Sequence, residues 1–562
     1  PIYPETKGLT SKGIRYFTEF VLHNLEPIKE FMPIEILRQN GLPEVNVALR
    51  AIHLPHNITE AENARRRFAF EELFLLQLKN IYQKAELAKE RAPSICIKNG
   101  FVHQILSGLP FKLTESQNKS LGEILHGLSR SQPMNRLLQG DVGSGKTIVA
   151  GIAAIAAASD DYQIALMAPT EILARQHYKT LRKFFGGFDG GIGLLVSKEA
   201  RTFYGDELET DVKKASFLRE ISSGKVKIIV GTHALIEKNV EFQKLGLVAV
   251  DEQHRFGVRQ RAALMKKGSM VPHFLSMSAT PIPRTIMMTV FGDLDLSTIN
   301  ERPLGRKDVI TKIVDSVNRG KAYAFIRGQV RRGRQVFVIC PRIETDDLNE
   351  KIKNQNEKLS ERQLAILEVR NVKEEHEKLS KKIFPDLRVA MLHGKMRAKE
   401  KEIIMNKFVN GDVDILISTS VVEVGVDVPN ATIMMIEGAE RFGLAQLYQF
   451  RGRVGRGEYQ SFCFLFSEST TKSVHQRLES LLTAKNGFEL AEKDLAIRGP
   501  GQFLGEEQAG MPDVAMKALK DPNLVKNTRA AAEKIMESDP SLDKHQNLKL
   551  RLSQFKKEIH LE

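Results

Sequence analysis

Gly140-Asp141-Val142-Gly143-Ser144-Gly145-Lys146-Thr147 follows the pattern G-x-x-x-x-G-K-[ST], and its reading decides the fold around it. Three glycines let successive backbone N–H groups turn toward one anion with no Cβ in the way. Upstream, Asn135-Arg136-Leu137-Leu138-Gln139 supplies a short buried strand. Downstream, Ile148 to Ala158 is an Ala-rich apolar run with strong helix propensity. Strand, glycine-rich turn and helix form the context that a phosphate-cradling loop requires, and the helix N-terminus adds partial positive charge. Gly140, Asp141, Val142, Gly143, Ser144 and Gly145 make the cradle. Lys146 is placed to reach the β- and γ-phosphates, and Thr147 to hold Mg²⁺. A chance glycine-rich turn would lack these flanks.

Outward from this loop, buried strands alternate with helices from about Phe101 to Asn300. Candidate strands are 163–167, 226–230 and 247–250, continuous apolar runs of the kind found where helices cover both faces of a parallel sheet. A linker is expected at 303–307. A second alternating region starts near Val309, with strands at 335–339, 388–392, 414–417 and 462–466. The class is therefore α/β, with two parallel-sheet lobes in tandem. The first hundred residues read as helical. Thr59-Glu60-Ala61-Glu62 fits a capping box, and an amphipathic helix with Phe68, Leu75, Leu78 and Ala85 on its apolar face runs to about Ala88, stopped by Pro93. The stretch 346–382, rich in Glu and Lys and without Pro or Gly, reads as a solvated helical hairpin inserted in the second lobe. After Ser467 the pattern turns helical again. Four segments follow: 1–100 helical, 101–302 first lobe, 303–467 second lobe, and 468–562 helical.

At 562 residues, several domains are expected. Hydrophobic content of 42% and charged content of 27% are those of an ordinary soluble protein. Apolar runs are too short and interrupted to span a bilayer, and no basic stretch leads into an apolar segment at the N-terminus. The first residue is Pro1 rather than Met, as in a processed or truncated form. The three cysteines, Cys96, Cys340 and Cys463, lie too far apart for a CxxC knuckle and make no disulfide framework, which fits a reducing cytoplasm. A net charge of +14 points to a polyanionic partner, the alternative being charge for solubility alone.

Two further clusters carry chemistry. Asp251-Glu252-Gln253-His254 follows the strand ending at Val250. Carboxylates at the C-terminal end of such a strand sit beside the phosphate loop. Asp251 fits a Mg²⁺-binding acid, and Glu252 the base that orients and deprotonates water. Adjacent acids on an ordinary loop are the alternative. In the second lobe, Leu447-Tyr448-Gln449-Phe450-Arg451-Gly452-Arg453-Val454-Gly455-Arg456-Gly457 interleaves arginines with glycines. Arg453 and Arg456 are candidates to reach across the cleft to a γ-phosphate. Taken alone, the run would fit a basic nucleic-acid patch equally well.

The ordered set resembles superfamily 2 helicases and translocases. Gln117, in Phe111-Lys112-Leu113-Thr114-Glu115-Ser116-Gln117, looks like the glutamine that reads adenine. Residues 168–176, with Thr170 and Arg175, resemble motif Ia; residues 231–235, with Thr232 and His233, motif Ib; Ser278-Ala279-Thr280, motif III. Ser418-Thr419 and Val424-Gly425-Val426-Asp427-Val428-Pro429 resemble motif V. Residues 251–258 and 277–285 narrow the resemblance to the RecG branch-migration helicases and their relative Mfd. Residues 487–495 and 498–505, with Arg498, look like the TRG motif of those proteins, a helical hairpin and loop that turn lobe closure into movement on duplex DNA; Gln508 lies just beyond. A Gly-Pro turn between two helices is the plain alternative for that run.

The resemblance implies two RecA-like lobes and an ATP hydrolase acting on stalled forks and Holliday junctions. The implied cofactors are ATP and Mg²⁺. Thr170, Arg175, Thr232, His233, Ser278, Thr280, Thr419, Arg498 and Gln508 would contact or couple to DNA; Lys146, Glu252, Gln449, Arg453 and Arg456 would carry the reaction. Gln117, Asp427 and residues 140–147 would bind nucleotide; Thr147 and Asp251 would hold the metal. Double-stranded and branched DNA are the implied partners, with a single-strand-binding protein as a further candidate. A cytoplasmic monomer without membrane contact is expected. The family's N-terminal wedge, an OB-fold, has no counterpart here; Pro1-Ile2-Tyr3-Pro4 resembles the segment that follows it. A transcription-coupled repair translocase of the Mfd type would need further modules. A DEAD-box RNA helicase would need Asp-Glu-Ala-Asp at 251–254. A DNA-binding scaffold on an inactive motor would not need the full set of Lys146, Asp251, Glu252, Arg453 and Arg456.

Overall fold

A computed structural model describes the chain apart from residues 7, 99, 198, 206–208, 238, 253–269, 281–282, 284–285, 288, 290–291, 302–306, 342–370, 420–427, 456, 470, 485, 499–515, 517 and 559–562, and the side chains of residues 398, 498 and 556–558. The chain divides into two compact units. One comprises Arg91–Pro281 and Leu296–Ala491; the other comprises Pro1–Glu90, Ile282–Asp295 and Glu492–Glu562. Among the described residues, no helix is long and apolar enough to cross a membrane.

The first sheet of the larger unit is built from β1 (Asn135–Gly140), β2 (Gln163–Met167), β3 (Ile192–Val196), β4 (Glu199–Phe203), β5 (Glu209–Asp211), β6 (Ile228–Gly231), β7 (Leu245–Asp251), β8 (His273–Ser278) and β9 (Asp295–Ile299). Its order is β5-β4-β3-β6-β2-β7-β8-β1-β9. From β3 to β1 every neighbouring pair is parallel. Strand β2 is buried at every residue, as expected for a centre covered on both faces. The parallel expectation fails at one edge: β4 runs antiparallel to both β3 and β5. The cause is local. Only Ser197 and residue 198 separate Val196 from Glu199, too few for a helical crossover, so the chain can only fold back as a hairpin.

The second sheet contains β10 (Ile310–Val314), β11 (Gln335–Ile339), β12 (Val389–Leu392), β13 (Ile415–Ser418), β14 (Ala431–Ile436) and β15 (Phe462–Phe466), in the order β10-β15-β14-β11-β13-β12, all parallel. Most of the charged insert, and the linker at 303–306, lie outside the described residues. The described end of the insert departs from a solvated hairpin. Val372 and Leu379 are fully buried and join Phe384, Ile415 and Phe464 in one core cluster.

The smaller unit is helical, and its central helix Ile58–Leu87 corrects two expectations. Its N-cap is Asn57, whose side chain accepts the Glu60 N–H at 2.9 Å, while Glu60 accepts the His56 N–H; the cap is therefore not Thr59. The helix ends at Leu87 with Ala88 as its C-cap, as expected, several residues ahead of Pro93. It is not amphipathic in its middle: Ala69, Phe70, Leu73, Phe74, Leu75, Leu76 and Leu78 are all buried, against Leu524, Val525, Leu548, Leu552 and Phe555 of the C-terminal helices among others. Helices pack around it, so an apolar stripe is replaced by an apolar girdle. Arg67 is buried completely on this helix and is matched by Glu30 at 3.0 Å and Glu71 at 2.5 Å. Burial pushes the Glu71 carboxyl up, and the Arg67 charge opposes that shift.

Candidate functional site

Residues 140–147 join the end of β1 to the helix Lys146–Ala158, as the motif requires. Twelve of the thirteen residues of that helix are buried, Thr147 being the exception, so the loop stands on a rigid base. Gly145 has φ +92°, and a Cβ there would come within 2.3 Å of Gln117 Nε2. Only glycine fits such a turn. Lys146 Nζ donates to the Gly140 carbonyl at 2.7 Å and the Asp141 carbonyl at 2.9 Å. Burial lowers its pKa; Glu252, Asp251 and Asp141 oppose that shift, and Arg453 adds to it. A desolvated ammonium held over the loop's own carbonyls is primed for a stronger anion.

Gln117 forms a capping box with Thr114 at the start of the helix Glu115–Leu128. Its Oε1 accepts the Thr114 N–H at 2.9 Å, and its Nε2 donates to the Ser144 carbonyl at 2.7 Å. The expected adenine reader thus braces the phosphate loop in this structure. Reading a base would require its amide to exchange these partners.

The two acids emerge at the end of β7. Asp251 Oδ2 meets His177 Nε2 at 2.7 Å, and Asp251 Oδ1 accepts the Glu252 N–H at 3.0 Å. Burial alone would raise the Asp251 pKa. His177, Lys146 and the backbone N–H outweigh burial and hold it below the usual carboxylate range. Glu252 has φ +52°, a left-handed conformation that costs a non-glycine residue about 1–3 kcal/mol and clusters at functional positions. At the end of β8, Ser278 Oγ and Thr280 Oγ1 lie 2.6 Å apart, and Gln139 Nε2 from β1 donates to the Thr280 carbonyl at 3.3 Å.

The second lobe meets the loop through the helix Leu444–Arg451. The Tyr448 hydroxyl donates to Asp141 Oδ2. Gly452 lies so close that a Cβ would fall 2.9 Å from Val142 Cβ. Arg453, buried, is near enough for its charge to act on Lys146. Gln449 is half-buried on the same helix. Arg451 turns elsewhere: its guanidinium donates to the Leu481 carbonyl at 2.8 Å and lies 4.5 Å from the Tyr448 ring centroid. Between loop and helix is a cavity of about 400 Å³, lined by Asp141, Val142, Lys307, Tyr448 and Leu482 among others.

The remaining expected residues are dispersed. Thr170 caps the helix Glu171–Phe185. Arg175 is paired with Glu199 at 2.8 Å and Glu171 at 3.3 Å, so it is engaged within the lobe. Thr232 is buried beside exposed His233, and Thr419 is fully buried with Oγ1 unbonded. Arg456, Asp427, Gln508, Gln253, His254 and the Arg498 side chain lie outside the described residues. Sequence reasoning missed His177 and the Tyr448 contact. The i+7 position of His177 after Thr170 places it on the inner face of its helix, but its acidic partner depends on strand order.

Three features fit a bound triphosphate. Ser144 Oγ is buried without a partner, the Gly145 turn opens the cradle, and Lys146 is satisfied only by carbonyls. Thr147 and Asp251 carry oxygen atoms of the kind that Mg²⁺ takes. Among the described residues no group of three or more His, Cys, Asp or Glu converges, but a nucleotide-borne Mg²⁺ needs only one or two protein ligands.

Family models describe residues 114–289 as a DEAD/DEAH box helicase, residues 321–458 as a helicase conserved C-terminal domain, and residues 484–560 as domain 3, C-terminal, of ATP-dependent DNA helicase RecG. The chain is 42% identical over 556 residues to ATP-dependent DNA helicase RecG of Synechocystis sp., covering 99% of this chain and 63% of that protein. Identity to the Bacillus subtilis protein of the same name is 40%, over 96% of this chain and 75% of the relative. A solved structure of RecG bound to a three-way DNA junction superposes with a TM-score of 0.74 at 36% identity, covering 95% of this chain and 66% of that one. The chain thus spans a little under two thirds of the first of these relatives.

Proposed function

The chain belongs to the family of ATP-dependent DNA helicase RecG, and from that premise we propose that it hydrolyses ATP to move on double-stranded DNA at branch points such as stalled forks and Holliday junctions, in recombination and repair. The observation that supports this most is that Arg453 of the second lobe is close enough for its charge to act on Lys146 of the first, as do Asp251 and Glu252 at the adjoining strand end. Each part serves phosphoryl transfer, which depends on positioning and charge. Lys146 leaves its carbonyl partners for the β- and γ-phosphates. Thr147 and Asp251 would hold Mg²⁺, which would supply positive charge to offset that of the phosphates. Glu252 orients and deprotonates the attacking water. Arg453, with Arg456, stabilises charge on the transferred group; Gln449 and Asp427 complete the nucleotide's surroundings and Gln117 reads its base. Release of the γ-phosphate removes the charge that draws Arg453 inward, so the lobes part, a hinge-type switch.

Residues 1–100, 101–302, 303–467 and 468–562 act as helical base, two motor lobes and coupling helices. Thr170, Arg175, Thr232, His233, Ser278, Thr280, Thr419, Arg498 and Gln508 grip DNA or couple to it, with Arg175 exchanging Glu199 for phosphate. The net charge of +14 supports a polyanionic track, and contacts to phosphate make binding salt-sensitive and largely indifferent to sequence. The protein works as a cytoplasmic monomer, with a single-strand-binding protein as a further partner. Lys146→Ala tests the reading: DNA-stimulated ATP hydrolysis should vanish while DNA binding persists. Retained turnover would refute it.

A further inference from the structure

One side-chain pair joins the two lobes at the phosphate loop. Tyr448 lies on the helix Leu444–Arg451, and its hydroxyl donates to Asp141, a residue 307 positions away in sequence and next to the first glycine of the cradle. The tyrosine has little freedom. It is 3% exposed, and the Arg451 guanidinium lies over its ring while anchored to the Leu481 carbonyl. The hydroxyl is therefore aimed by packing. Next along the chain, Gly452 abuts Val142, and Arg453 acts on Lys146. Two contacts thus join the second lobe to the loop, 448 to 141 and 452 to 142, and the charge of Arg453 acts on Lys146. The first is a directional hydrogen bond to a carboxylate, and it lines the cavity described above, where water can replace it once the lobes separate.

We propose that Tyr448 is a positioning residue whose bond to Asp141 forms as the lobes close and sets the helix so that Arg453 arrives at the phosphate held by Lys146. The inference rests on the ATPase reading above and adds a residue to it. A hydrogen bond to a charged group shifts such an equilibrium by roughly tenfold to a hundredfold. Its loss lowers the closed population. It leaves Lys146, Ser144 and Gln117 in place, so nucleotide capture is spared while turnover slows.

Tyr448→Phe keeps the ring and removes the donor. ATP hydrolysis by the full chain on saturating forked duplex DNA is compared for the parent, Tyr448→Phe, Asp141→Ala, Asp141→Asn and the Tyr448→Phe/Asp141→Ala pair, with Lys146→Ala alongside. For Tyr448→Phe, kcat should fall about tenfold, KM for ATP should stay within about twofold, and the thermal midpoint should not move. The pair should be no slower than the slower single variant, and Asp141→Asn, which still accepts a hydrogen bond, should recover part of the loss. A parental kcat for Tyr448→Phe, or single effects that multiply in the pair, would overturn the proposal. An active Lys146→Ala would instead remove the ATPase reading, whereas an inactive Lys146→Ala beside an unimpaired Tyr448→Phe removes the positioning role alone.

Discussion

The C-terminal rims of the two sheets hold part-buried acids in opposite conditions. At the first rim, Asp251 is held below the usual carboxylate range because His177, Lys146 and a backbone N–H overcome its burial. At the second, Glu375 is pushed up: burial leads, Glu437 adds to it, and Lys378 and Arg319 only partly compensate. Glu437, beyond β14, takes Arg319 at 2.9 Å, while Lys378 serves Glu375 at 3.0 Å. The first rim therefore keeps a permanent negative charge next to a desolvated lysine, the condition for binding a cation-bridged phosphate. The second matches two carboxylates with two cations, the condition of a brace. Its contribution to the nucleotide site comes instead from the helix Leu444–Arg451 and the turn that follows.

That division of labour can be broken from either side. The largest effect is expected at Arg453, proposed above to carry the second lobe's charge to the phosphate. Arg453→Ala should lower kcat on forked DNA by about 10³-fold, the lower end for such arginines, with little change in KM for ATP. A loss below about tenfold would mean that the first rim works alone. A smaller loss is expected at His177, which touches only Asp251 in this role. His177→Ala should raise the Mg²⁺ concentration needed for half-maximal hydrolysis about tenfold, as removal of such a supporting partner does, with kcat returning at high Mg²⁺. An unchanged Mg²⁺ dependence would detach His177 from the metal.

The same contrast separates what the sequence reveals from what it hides. The loop 140–147, the strands 163–167, 335–339 and 462–466 and the Asp251-Glu252 pair are local: each is fixed by neighbours a few residues away, and all appear where the pattern puts them. Strands β4 and β5 escape because, short and bearing Glu199, Arg201 and Glu209, they have no continuous apolar run. Ile58–Leu87 reads as amphipathic because its charged ends frame it, yet the burial of 69–80 is decided by helices that arrive from beyond residue 520. The partners of Asp251 and Asp141 lie 74 and 307 positions away. Spacing cannot show them; only the order of strands β2, β7 and β1 and the closure of the second lobe bring them together.

The smallest effect is the sharpest test of the two rims. Glu375 has a raised folded pKa, so its ionised form is less favoured in the native state than in the unfolded chain. Below the ordinary carboxylate range both states are neutral and the penalty is absent. As pH rises through that range the unfolded chain ionises first and stability is lost, until the raised native pKa is passed. Glu375→Gln removes this titration. Its stability relative to the parent should therefore improve from acid toward neutral pH, read as the difference in urea midpoints at matched pH. Asp251 behaves in the reverse sense: with a lowered folded pKa it contributes stability above the ordinary carboxylate range and loses it as pH falls. Asp251→Asn should accordingly fall behind the parent toward neutral pH. If both variants moved in the same direction, Lys378 and Arg319 would outweigh burial at Glu375, and the second rim would be an ion pair of the same kind as the first.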